Sequence, residues 1–164
     1  PIAVVRNAMT YETPEDYTPS IRQEIFYTSF EEDTASQVKI LPLAKTGRKA
    51  YQGVYTLPYQ GIYQTDFHLS YWISRDEGRT WNKVDQIRNL WGQVTLGEEG
   101  AYIDEVRVCP PDARMTTYTH LPGIGMTSQT DPNGNTTYYE YDALGRLSAI
   151  RDNERRLLRT YQYQ

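Results

Sequence analysis

The chain is 164 residues long with a formal net charge of −4, and its acidic and basic residues are interspersed without a basic block, which argues against a nucleic-acid partner. No apolar run reaches the ~18 residues of a bilayer-spanning helix, so no membrane insertion is expected of this segment. Cys109 stands alone, which leaves no internal disulfide and no cysteine metal cluster.

Residues 1–20 carry Pro1, Pro14 and Pro19 and read as a lead-in with one short edge strand at residues 2–6. They lack a basic and apolar leader, so a signal peptide is expected to be absent or already removed. Periodicity begins at Ile21. Within residues 21–30, Phe26, Thr28 and Phe30 share one parity and Ile25, Tyr27 and Ser29 the other, as in a strand. Residues 37–43 follow, then the turn Lys45-Thr46-Gly47-Arg48, then residues 51–57 with Tyr51, Gly53 and Tyr55 on one face. Residues 62–74 alternate most clearly. Tyr63, Phe67, Leu69, Tyr71 and Ile73 form an apolar row, and Gln64, Asp66, His68 and Ser70 form a polar row that ends in Trp72. Residues 81–87, 94–96 and 101–109 complete the series. In the last of these Ile103 falls on the opposite parity from Val106 and Val108, which predicts either a bulge or a strand buried on both faces.

No stretch shows a 3.6-residue apolar period, so the expected class is all-β, an antiparallel β-sandwich of jelly-roll type over residues 21–109. Pro110 and Pro111 cannot sit inside a ladder, and residues 110–114 are expected to be a stiff linker. Beyond them the texture becomes repetitive. Asp131-Pro132-Asn133-Gly134 is a turn signal, Tyr139 and Tyr141 share a strand face, and Asp142-Ala143-Leu144-Gly145 is a second turn before Arg146-Leu147. Asp131 and Asp152 are 21 residues apart, as are Met126 and Leu147, and Tyr118-Thr119-His120 precedes Tyr139-Glu140-Tyr141 by the same interval. A fixed short period marks an architecture in which each unit buries its face against its neighbours.

The run Tyr139, Tyr141, Asp142, Gly145, Arg146, Leu147 resembles the unit of the Rhs/YD-repeat family. Its flanking copies depart from the unit, with His120 in place of a Tyr, Met126 in place of Leu, and Glu154-Arg155 in place of an Asn-Gly turn. The resemblance covers residues 115–164 and implies YD-type β-hairpins that continue into a larger shell. It further implies an extracellular or cell-surface bacterial protein whose partner is the remainder of that shell. The segment carries no toxin and no aspartate-rich self-cleavage motif, so its own role would be structural and adhesive, capping or decorating the shell.

The preceding region resembles the galactose-binding-like jelly rolls of carbohydrate-binding modules, through Ser29-Phe30-Glu31, Lys45 to Ala50, Leu69 to Ile73 and Tyr102 to Val106. That resemblance implies a structural calcium held by Glu31, Thr46 and Asp104, although Lys45 and Ala50 depart from the family's first turn. It also implies an alternative function as a glycan-binding module, with Trp72, Asp66, Tyr51, Tyr55 and Trp91 as the stacking and hydrogen-bonding residues. Tyrosine-rich composition suits either a sugar platform or ordinary wet sheet faces. Ser74, Asp76, Gly78, Thr80 and Trp81 match the Asp-box pattern, in which the Asp ties up its own loop; a structural hairpin is expected there. His68 and His120 have no nucleophile motif beside them, and no pair of carboxylates is singled out by spacing, so no enzyme is expected.

Overall fold

A computed structural model describes residues 2–7, 26–58, 66–90 and 92–164. The expected strand portions at residues 21–25 and 62–65, and Trp91, lie outside the described residues. In chain order the strands are β1 (Ile2–Asn7), β2 (Phe26–Thr28), β3 (Val38–Ile40), β4 (Lys49–Gln52), β5 (Tyr55–Thr56), β6 (Asp66–Ser74) and β7 (Asn82–Asn89). They continue as β8 (Thr95–Leu96), β9 (Tyr102–Cys109), β10 (Ala113–Leu121), β11 (Gly125–Thr130), β12 (Thr136–Tyr141), β13 (Leu147–Arg151) and β14 (Leu157–Thr160). All pairings are antiparallel and no helix occurs among the described residues, as the missing 3.6-residue period predicts.

The first sheet has the order β3-β4-β9-β6-β7. One edge of β9 pairs with β6, and the other is shared by β4 at Ile103 and β2 at Val106 to Val108. The small β5-β8 sheet covers one face. Phe30, Leu69, Leu90, Leu96, Ile103, Val106 and Val108 form the core between these layers. The stretch at residues 51–57, read as one strand, is two. The chain leaves the first sheet at Gly53, whose N–H donates to Ala101 O at 2.8 Å, and the rest pairs with β8 instead.

The parity conflict in β9 resolves as both of its alternatives at once. Its register with β6 shifts opposite Ser70 to Trp72, and Glu105 takes φ 55°, so one extra residue sits in the strand. The bulge lets Ile103, Val106 and Val108 all enter the core. Asp104, Glu105 and Arg107 then face the other way, and they too are buried.

What covers them is the third sheet. It is a meander, β1-β10-β11-β12-β13-β14, entered from β9 by a turn in which the Ala113 N–H donates to Pro110 O at 3.0 Å. The lead-in strand expected at residues 2–6 is there as β1, and it joins this repeat sheet by pairing with β10. Thr117, Thr130 and Thr136 are register neighbours across β10, β11 and β12, and all three are buried. β-Branched hydroxyl residues suit this position because they pack on a pleated face and still offer a hydrogen bond.

Candidate functional site

The polar face of β9 meets the repeat sheet in a buried junction. Arg107 is 5% exposed and Glu105 1%. The Arg107 guanidinium donates to Glu105 Oε1 from Nε (3.1 Å) and Nη2 (2.7 Å), to Thr117 Oγ1 (2.7 Å), and from Nη1 to the Asp131 and Met115 carbonyls (2.8 and 3.4 Å). Thr117 Oγ1 in turn donates to Glu105, and Tyr27 OH donates to Glu105 Oε2 at 2.9 Å. A buried ion pair persists only when its remaining donors and acceptors are matched, and here they are. Burial and the neighbouring Glu105 push the Tyr27 phenol up.

Beside it lies Asp104, fully buried, with Oδ2 accepting from Thr46 N–H at 2.8 Å and Oδ1 from Glu105 N–H at 2.6 Å. Burial, and then the Glu105 charge, hold its carboxyl well above the ordinary range, against the pull of those two N–H groups. Lys45, 4% exposed, places Nζ 3.8 Å from the centre of the Trp72 ring and 2.9 Å from Asn153 Oδ1. Burial, followed by the Arg155 guanidinium, lowers the Lys45 ammonium to about 8, while Glu105, Asp104 and Glu154 pull the other way.

The repeat sheet has three Asp-led turns, and it reaches this junction through the first and the third of them. Asp131, Asp142 and Asp152 each open one. In each the Asp N–H donates to the carbonyl four residues on, and a carboxylate oxygen accepts that residue's N–H at 2.8 to 2.9 Å. The third residue after the Asp adopts positive φ: Gly134 (91°), Gly145 (75°) and Arg155 (61°). Glycine enters that region freely and arginine does not. Arg155 is held there by distant contacts, with its guanidinium 4.1 Å from the Tyr138 ring centre and Nη2 donating to Ala44 O at 2.7 Å. Tyr138 OH donates to Lys45 O at 2.8 Å, and Lys83 Nζ to Asn133 O at 3.0 Å. The departure of Glu154-Arg155 from the Asn-Gly turn is thus where the repeat is fitted to the core unit.

Of the residues proposed for glycan binding, the four that are described, Tyr51, Tyr55, Asp66 and Trp72, are not brought into one platform. Tyr51 and Tyr55 stack with Phe30 in the core, with ring centres 5.0 to 5.4 Å apart. Asp66 is exposed at the start of β6, and Trp72, six residues on, has Lys45 over its face. The polar row of β6, read as facing solvent or a ligand, turns toward the repeat sheet, with Ser70 buried opposite Arg107. A polar row looks the same in sequence whether it meets water or another polar face.

Of the calcium candidates, Thr46 and Asp104 do meet, but as N–H donor and carboxylate acceptor. Glu31 Oε1 accepts the N–H groups of Arg48 (2.8 Å) and Lys49 (2.7 Å) instead. Calcium needs six to eight oxygens. Among the described residues no group of three His, Cys, Asp or Glu side chains is gathered to hold a metal, so the donor set does not fit the ion.

At residues 74–81, Asp76 Oδ1 accepts from Ser74 Oγ (2.9 Å) and Thr80 N–H (2.8 Å), and Trp81 Nε1 donates to Leu43 O (2.8 Å). A cleft of about 380 Å³ also opens on the junction, with His68, Cys109, Arg114 and Asn133 in its walls. His68 Nε2 lies 2.5 Å from Asp85 Oδ1. Burial pushes the Cys109 thiol up.

Residues 125–157 match the RHS Repeat family model. No curated protein and no solved structure is significantly similar to the chain.

Proposed function

We propose that this chain is a non-catalytic junction piece of a larger Rhs-type protein at the bacterial cell surface or outside the cell. In this reading the unit built on β9 is a galactose-binding-like sandwich with an Asp-box hairpin at residues 74–81. It caps a YD-repeat sheet whose later hairpins form a shell. The observation that carries the reading is the docking itself. Two turns on one end of the repeat sheet, at Asp131 and Asp152, reach Arg107, Lys45 and Ala44 of the core unit. At the far side β14 presents an edge with all four residues exposed, including Leu157 and Leu158. An edge of that kind is a template for a further strand.

The glycan reading has less support, because Tyr51 and Tyr55 pack on Phe30 and one face of Trp72 is taken by Lys45. The test compares hydrogen exchange in this chain with a longer one carrying the hairpins that follow. The amides of β14 become protected when the next strand pairs with them. Equal, fast exchange in both chains would reject the capping role, and retention on a polysaccharide affinity gel that Trp72→Ala abolishes would favour the glycan role.

A further inference from the structure

Lys45 and Asn153 meet across the junction from opposite units, 108 positions apart in sequence. The amine is almost fully enclosed, beside an indole, with its Nζ donating to the carboxamide oxygen at 2.9 Å, which sets it next to that carbonyl group. The carboxamide is held from both ends. Thr136 N–H donates to Oδ1 at 3.1 Å, and Nδ2 stands 3.5 Å from Glu154 Oε1. A nucleophile, a fixed carbonyl, a backbone donor on its oxygen and a carboxylate at its leaving group are the parts that acyl transfer needs.

We propose that Lys45 and Asn153 condense into an intramolecular isopeptide bond that welds the core unit to the Asp152 turn of the repeat sheet. The neutral amine attacks Asn153 Cγ, and the carbonyl electron pair moves onto Oδ1, where the Thr136 N–H stabilises it. Glu154 takes a proton from the attacking nitrogen and gives it to Nδ2. The tetrahedral centre collapses, the Cγ–Nδ2 bond breaks and ammonia leaves. One amide is lost and one is formed, so no oxidant, cofactor or energy source is needed. The environment prepares the amine for this. Its burial and the Arg155 charge favour the unprotonated form, while Glu105, Asp104 and Glu154 are the acidic groups that face it.

Mass spectrometry of the intact, unfolded chain tests the bond directly. The purified protein, after incubation at mildly alkaline pH, is expected to be lighter by one ammonia. Its tryptic map should contain a branched peptide joining the segments that hold Lys45 and Asn153, uncleaved after Lys45. Lys45→Arg and Asn153→Ala should each restore the full mass, and Glu154→Ala should slow the loss by about a hundredfold or more. Full mass in the wild-type chain, with Lys45 and Asn153 in separate linear peptides, overturns the proposal whether or not the variants fold. So does an ammonia loss that maps to Asn133-Gly134, where an asparagine can cyclise on the next amide. Wild-type rates in Glu154→Ala would remove that residue from the step.

Discussion

In the repeat sheet each strand from β10 onward pairs with the next, and from β11 onward the hairpins are closed by the same Asp-led turn, whereas in the core unit β9 pairs with β2, β4 and β6, all distant in sequence. The repeat sheet is therefore specified locally, turn by turn, and a fault in one turn stays in that turn. The core unit is specified by one strand on which everything converges, and its polar side is finished by side chains from the other region. Non-local pairings of this sort form late, because the chain must close long loops before the contacts reward it. The two regions differ in grammar but share one interior, so they should lose structure together when the shared part is damaged.

The most damaging change should be Arg107→Met. It leaves Glu105 buried without its cation, which costs about 3–5 kcal/mol, read by denaturant unfolding. Hydrogen exchange on the same variant would sharpen the comparison: β9 to β12 should loosen together. Undiminished protection in β11 and β12 would show that the regions fold independently about Pro110-Pro111. Gly78→Val comes next, at about 2 kcal/mol. Gly78 has φ +87°, and a Cβ there would stand 2.7 Å from Leu43 O. An unchanged melting temperature would mean that the 74–81 loop has another shape.

Tyr138→Phe removes the hydroxyl that bonds Lys45 O, a loss of about 1 kcal/mol. This effect should depend on pH. Burial pushes the Tyr138 phenol up to about 12 from an ordinary 10.0. The folded state therefore keeps its proton where the unfolded state releases it, so the contribution is complete below the ordinary value and is lost as pH rises through the folded one. The stability gap between wild type and variant should close over that interval, and a constant gap would contradict the burial. Arg155→Gly should change stability by less than ~1 kcal/mol, since relief of the positive φ offsets the lost ring contact. Exchange at the Ala44 to Thr46 loop should nevertheless rise. Calcium against EDTA should leave the melting curve unmoved, and a calcium-dependent rise that Glu31→Ala removes would restore the ion to Glu31 and Asp104.

The turns at Asp131 and Asp142 could be read from sequence because their chemistry lies within five residues, and they formed as read. The β9 bulge left a trace too, in the conflicting parity of Ile103 and Val106. The junction left almost none. Lys45, Glu105 and Arg107 look like solvated charges until a second sheet covers them, and Asn153 looks like an ordinary turn residue. The one signal was negative: Arg155 stands where a glycine would have been easier. In a repeat, a residue that resists its own backbone position points to a demand from outside the repeat.

The alternation of turns between the two ends of the repeat sheet has a consequence for how such chains can change length. Asp131 and Asp152 turn the chain beside the core unit, and Asp142 turns it at the opposite end. Duplicating one 21-residue unit adds two strands, about 9–10 Å of sheet, and hands the chain back at the end from which it left. Every later turn keeps its side. An insertion of half a unit adds one strand and carries all downstream turns to the other end. Growth by whole units is therefore silent to whatever docks along that side, and growth by halves is not, so heredity can lengthen this sheet freely in one step size and hardly at all in the other.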